Sequence, residues 1–165
     1  MGVKEDLERI ALQEKQLQLA AVDMKLAWEL GTTLRTLAVE RGLAVVIDVR
    51  RFAQPLFYSA MEGTTPDNAE WVRRKSNVVA RFHRSSYAVG LNLRAKGYTL
   101  LDRYGLAVAD YAADGGSFPL AVAGTGVVGS ATISGLAQRD DHEMVVEALC
   151  GLLRRDYSEL KLGAE

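Results

Sequence analysis

Leu43-Ala-Val-Val-Ile-Asp-Val-Arg50, followed within five residues by Pro55 and then by Leu56-Phe-Tyr-Ser-Ala60, is the stretch that decides the fold class. Both runs are short and rich in β-branched or aromatic residues, so both read as strands. The connection is too short to hold a crossover helix. The two strands therefore form an antiparallel hairpin.

Working towards the N-terminus, Leu26, Ala27, Leu30, Leu34, Leu37 and Ala38 recur at helical spacing. Asp23 offers an N-cap and Gly42 a C-cap, which predicts a helix over 24–41. An earlier helix is expected over 4–16, with Leu7, Ile10 and Ala11 on one face. Residues 17–22 alternate weakly and read as a short strand. Towards the C-terminus, the loop from Glu62 to Asn68 supplies helix-start chemistry, and a long helix is expected over 68–85. Residues 87–93 read as strand or loop, and 97–113 as a mixed, partly helical connection. Gly115-Gly116 is a turn. Residues 118–123 and 127–134 read as two more strands. A last helix is expected over 138–155, followed by a polar tail. Helices flanking a small, mainly antiparallel sheet make an α/β (α+β) fold, read as one domain over 1–165.

Composition narrows the function classes. Twenty basic residues face twenty-one acidic ones, and the formal charge of −1 gives no global attraction to nucleic acid or to an anionic membrane. No apolar run approaches the ~20 residues of a membrane span. The opening Met-Gly-Val-Lys-Glu-Asp lacks the apolar region of a signal peptide. The single cysteine, Cys150, has no internal disulfide partner and reads as an inert buried thiol. A reducing cytoplasm is the expected compartment.

Gly124-Thr125-Gly126-Val127-Val128-Gly129 matches the dinucleotide fingerprint GxGxxG. That motif works only when a helix opens on it and holds a pyrophosphate at its N-terminus. Here Ser130-Ala-Thr-Ile-Ser134 follows, a strand-like run. The reading is instead a hairpin turn at Gly124 to Gly126, with Gly129 admitting a neighbouring backbone.

Polar residues on apolar helix faces carry the functional signal. Lys75 falls within the stripe set by Trp71, Val72, Val78, Val79 and Phe82. A lysine facing a sheet must pair, snorkel or bind something. On the last helix, Asp141 and His142 project near the core face set by Val145, Leu149 and Leu152. The acids there also complement the helix dipole. His142 reads either as a packing residue or as a ligand or general base. His83 lies nearer the solvated side. Two histidines and one cysteine make no zinc site. Arg73, Arg74, Lys75, Arg81, Arg84, Arg94 and Lys96 form a basic run, read either as a solvated face or as a site for an acidic ligand or partner. Aromatic residues are too few for a nucleic-acid stacking platform.

Three blocks carry a family resemblance. They are Thr64-Thr-Pro-Asp-Asn-Ala-Glu-Trp-Val-Arg-Arg-Lys-Ser-Asn77, then Arg81-Phe-His-Arg-Ser-Ser-Tyr87, and the segments Tyr111 to Pro119, Gly126 to Gly135 and Asp141 to Glu143. Together they resemble an uncharacterised (UPF) branch of the haem-degrading-domain (GlcG/HbpS-like) superfamily. The resemblance implies a profilin-like three-layer α/β/α fold with a five-stranded antiparallel sheet, and a homo-oligomer. It also implies that Lys75 matches the helix lysine of the superfamily. Relatives differ in what they do, and a fold does not carry a function.

Three readings follow. The leading one is a small-ligand-binding protein for haem or another tetrapyrrole, with Lys75, His142 and Asp141 near the site and Arg74 and Arg81 meeting acidic groups. The second is a homo-oligomeric interaction or adaptor protein with no small ligand. The third is an enzyme with His142 as base and Lys75 as electrostatic stabiliser. The first requires a pocket joining Lys75 and His142.

Overall fold

A computed structural model describes residues 2–164. In chain order its elements are α1 (Val3–Gln16), α2 (Met24–Arg41), β1 (Val46–Arg51), β2 (Gln54–Ala60), α3 (Pro66–Phe82), α4 (Ser86–Ala95) and α5 (Leu100–Tyr104). They continue with β3 (Ser117–Val122), β4 (Gly126–Ser134), α6 (Gln138–Leu153) and α7 (Tyr157–Leu160).

The hairpin forms as its short connection dictates: β1 and β2 pair antiparallel, with Val46 opposite Ala60 and Arg51 opposite Gln54. β3 and β4 form a second antiparallel hairpin. Pairing of β1 with β4 joins the two into one sheet of order β2-β1-β4-β3. The sheet has four strands, not the five that the resemblance implied. Residues 17–22 make no strand; they contribute one isolated parallel bridge between Leu19 and Val122. Leu17, Leu19 and Val22 are all buried in the main core. Apolar burial and two backbone hydrogen bonds, Leu19 N–H to the Ala121 carbonyl (2.8 Å) and Ala123 N–H to the Leu19 carbonyl (2.9 Å), set the path of that segment.

Strand alternation splits the sheet into two unlike faces. Ile47, Val49, Phe118, Leu120, Ala131 and Ile133 point into the main core, where they meet Leu30 and Leu34 of α2 and Val145 and Leu149 of α6. The residues between them, Asp48, Ser117, Ser130 and Thr132, are buried but polar. α3 packs over that polar face. Helices thus cover both sides, and the architecture is three layers. The polar face satisfies itself: Asp48 accepts two hydrogen bonds from Arg50 (2.6 and 2.8 Å), and the hydroxyls of Ser117 and Thr132 are 2.9 Å apart.

Asp23 caps α2 by accepting from the Leu26 N–H at 2.8 Å, and Gly42 ends it in a left-handed conformation, as the sequence predicts. Gly124-Thr125 turns the β3–β4 hairpin, and no helix opens on the GxGxxG stretch. A Cβ on Gly129 would stand 2.0 Å from the Arg50 carbonyl oxygen, so β1 and β4 approach closely only because a glycine is there. Residues 87–93 correct the expectation of strand or loop: they lie in α4, whose start is capped by the Ser85 hydroxyl accepting from the Ala88 N–H. The expected polar tail also folds back, forming α7 with Leu160 and Leu162 buried.

Candidate functional site

α3 begins with reciprocal capping: the Asn68 side chain accepts from the Thr65 N–H at 2.9 Å, and Pro66 occupies the first turn. From that start the helix carries Lys75 onto its sheet-facing side. Lys75 is 3% exposed. Its Nζ donates to the carbonyls of Gly115 and Ile133, each at 2.9 Å, and to Asp141 Oδ2 at 3.0 Å. An ammonium has three protons, and all three are used. Asp141 in turn accepts from the Leu136 N–H at 2.9 Å and the Gly135 N–H at 3.4 Å.

One buried ion pair thus ties α3, the turn before β3, the end of β4 and the start of α6. Burial pushes the Lys75 ammonium down from its ordinary value, while the Asp141 carboxylate opposes it. Burial likewise pushes the Asp141 carboxyl up, against the pull of Lys75. Two glycines make room. Gly116 (φ 135°) leaves no Cβ to strike Lys75 Nζ, and Gly135 (φ 152°) lets the chain pass the Ala44 carbonyl.

Above this pair opens a surface pocket of about 410 Å³. Asn68 and Trp71 of α3 form one wall, and Gly135, Leu136 and Gln138 the other. Asp114 stands at the rim, and Lys75 and Asp141 at the floor. The Gln138 side chain accepts from the Gly115 N–H at 3.2 Å, which steadies the wall. Trp71 offers a flat apolar face, with the Arg74 guanidinium 4.6 Å from its ring centre. Trp71, Asp114 and Gln138 are among the lining residues that sequence spacing did not single out as a site. Trp71 reads as core by its period, and Asp114 stands just before the Gly115-Gly116 turn.

The other sequence candidates lie elsewhere. Arg74 donates to the Val108 carbonyl at 2.9 Å, and Arg81 sits over the Phe82 ring. Neither lines the pocket. His142 follows Asp141 directly, so it leaves α6 roughly 100° away and enters a different region. It is fully buried between Tyr87 and Phe118, with Nε2 2.8 Å from Gln13 Oε1. Its Nδ1 is the one buried side-chain nitrogen or oxygen without a partner among the described residues. Burial, with Arg139 nearby, lowers its pKa to about 3. His142 therefore does not join Lys75 in a pocket. His83 ends α3 with φ 54° and stacks on Phe52, exposed. Cys150 is buried, and burial raises its thiol to about 11.

These residues offer haem iron none of its usual axial ligands. No histidine, cysteine, methionine or tyrosine lines the Lys75 pocket, and the lysine amine is committed. Among the described residues, no group of three or more His, Cys, Asp or Glu could hold a metal ion. No helix among them is long and apolar enough to cross a membrane.

A helix-flanked antiparallel sheet with a polar pocket at one end is the class that fold and site define. The chain belongs to the family described as haem degrading protein HbpS-like, whose model matches residues 22–150. It is 59% identical over 162 residues to a UPF0303 protein of Burkholderia thailandensis, covering 98% of each chain. It is 57% identical to a UPF0303 protein of Paraburkholderia phymatum at the same coverage. Among solved structures, the Ybr137w protein superposes with a TM-score of 0.83 at 28% identity, over 90% of this chain and 88% of that one. HbpS superposes at 0.63 with 19% identity, over 82% and 92%. A PduOC:haem complex superposes at 0.66 with 15% identity, over 80% and 94%. The two lower identities speak for the fold alone.

Proposed function

We propose that this protein binds a small planar ligand in the pocket over the Lys75–Asp141 pair, acting as one domain over residues 1–165 in the cytoplasm. The observation that carries the reading is the juxtaposition of a fully hydrogen-bonded floor with the Trp71 ring, in a pocket of about 410 Å³. That volume is in the range of small-molecule sites, and a floor already hydrogen-bonded lowers the cost of binding. A tetrapyrrole is the first candidate, because a relative of the same fold was solved as a haem complex. The ring system would rest against Trp71. With Asp114 and Asp141 beside Lys75, the pocket holds no surplus positive charge, so acidic groups on the ligand stay at its solvent mouth.

The absence of a usual axial haem ligand from the lining gives a direct test. Haemin and metal-free protoporphyrin IX, titrated in parallel and followed by absorbance, are expected to saturate with affinities within about threefold of one another. Haemin binding that is tighter by about tenfold or more would mean an axial ligand, and hence a site elsewhere.

A second reading, a homo-oligomeric adaptor, is favoured by one specific feature. Met24 and Trp28 of α2 are exposed by half or more, Trp28 meets Phe57 of β2 with ring centres 5.9 Å apart, and β2 is an edge strand. Exposed apolar side chains beside an open strand edge suit a second subunit. Sedimentation at micromolar concentration is expected to show an oligomer that Trp28→Glu dissociates. A monomeric wild type would dispose of this reading.

A further inference from the structure

The acidic-ligand chemistry in the basic run is not met at the Lys75 pocket, but it does come together on the α4–α5 side of the molecule. There a second cavity of about 270 Å³ is lined by ten residues that include no carboxylate. Its walls carry three cations, Arg84, Lys96 and Arg103, and three aromatic rings, Phe82, Tyr98 and Tyr104. Arg84 is already paired with Glu14. Among the described residues, the side chains of Lys96 and Arg103 make no ion pair or hydrogen bond. Arg103 stands 5.7 Å from the Tyr104 ring centre. Two of the aromatic rings brace each other: Phe82 and Tyr104 meet edge to face, with centres 4.9 Å apart. Val89 and Leu93 add an apolar lining, and Asn92 adds an amide.

We propose that this cavity binds a small aromatic carboxylate. Its ring packs among Phe82, Tyr98 and Tyr104, and its carboxylate meets Arg103 and Lys96. Each half of that ligand answers an observation. Aromatic walls favour a flat apolar body, and edge-to-face contacts reward it beyond the buried area. Two cations without carboxylate partners favour an anion, and a guanidinium matches a carboxylate with paired hydrogen bonds. The contrast with the other pocket is chemical. Two carboxylates accompany the one lysine there, whereas no acid lines the cavity here. This cavity is also the smaller of the two, which suits one or two fused rings.

The proposal stands apart from the reading of the Lys75 pocket, and the test separates them. The probe is 2-naphthoate, titrated calorimetrically into the wild type, Lys96→Gln/Arg103→Gln and Trp71→Leu. Lys96 and Arg103 are exposed and unpaired, so circular dichroism is expected to show the double variant folded. Saturable binding is expected in the wild type, weakened by about tenfold or more in the double variant and unchanged in Trp71→Leu. The neutral analogue 2-naphthamide is expected to bind more weakly than 2-naphthoate by a similar factor, about tenfold. The proposal is overturned by no saturable binding, by a double variant that binds like wild type, by an amide that binds as well as the acid, or by loss of binding in Trp71→Leu.

Discussion

Lys75 is a lysine whose three protons are all spent inside the protein, on two carbonyls and one carboxylate. Replacing it with methionine leaves Asp141 buried without its cation. Such a break costs about 3–5 kcal/mol, and urea unfolding should show a loss of that size. The double variant Lys75→Met/Asp141→Leu should recover a large part of it, since removing both charges together leaves neither unpaired. A Lys75→Met protein as stable as wild type would contradict the floor described above.

His142 supplies a second prediction at this scale. Its folded pKa is depressed to about 3, so the neutral ring is the form that the fold accepts. The stability this gives is fully present above its ordinary value near 6.5 and is lost as pH falls through the window down to about 3. The slope is about 1.4 kcal/mol per pH unit. Denaturant unfolding between pH 7 and pH 4 should show that slope in wild type and lose it in His142→Gln. An unchanged slope in the variant would assign the acid sensitivity to other groups.

Elements were legible in the sequence where their causes are local. The β1–β2 hairpin follows from a connection too short for anything else, and α2 follows from its two caps. Lys75 was legible as a sheet-facing lysine because helical period alone puts it there. α4 was not legible: its run Ser-Tyr-Ala-Val-Gly-Leu-Asn-Leu has a glycine inside it, and alternation imitates a strand. That glycine is needed for packing, since a Cβ on Gly90 would stand 1.8 Å from the Ala113 carbonyl oxygen. The companions of Lys75 in the pocket were illegible for a different reason. Trp71, Asp114 and Gln138 come from three separate parts of the chain, and only the tertiary fold brings them together. His142 misled because sequence gives a residue's place on a helix but not which of two neighbouring compartments it enters.

Gly129 tests the element scale directly. Adding one methyl group in Gly129→Ala drives it against the Arg50 carbonyl and strains the β1–β4 ladder. The expected cost is about 1–3 kcal/mol, read as a lower urea midpoint. An unchanged midpoint would mean that the two strands separate without cost.

At the scale of the whole molecule, the sheet divides labour between its faces. One face is an apolar core built with α2 and α6, and it supplies most of the hydrophobic burial. The other is a polar layer under α3, and the Lys75 pocket opens beside that helix. Trp71 lines the pocket and lies outside the apolar core, so its replacement addresses binding rather than that core. The measurement that tests the central claim most directly is a protoporphyrin IX titration of wild type and Trp71→Leu, with both proteins first shown to be folded. The account predicts saturable binding to wild type, weakened by about tenfold or more in the variant. Equal affinity in the two proteins, or no saturable binding to either, would contradict it.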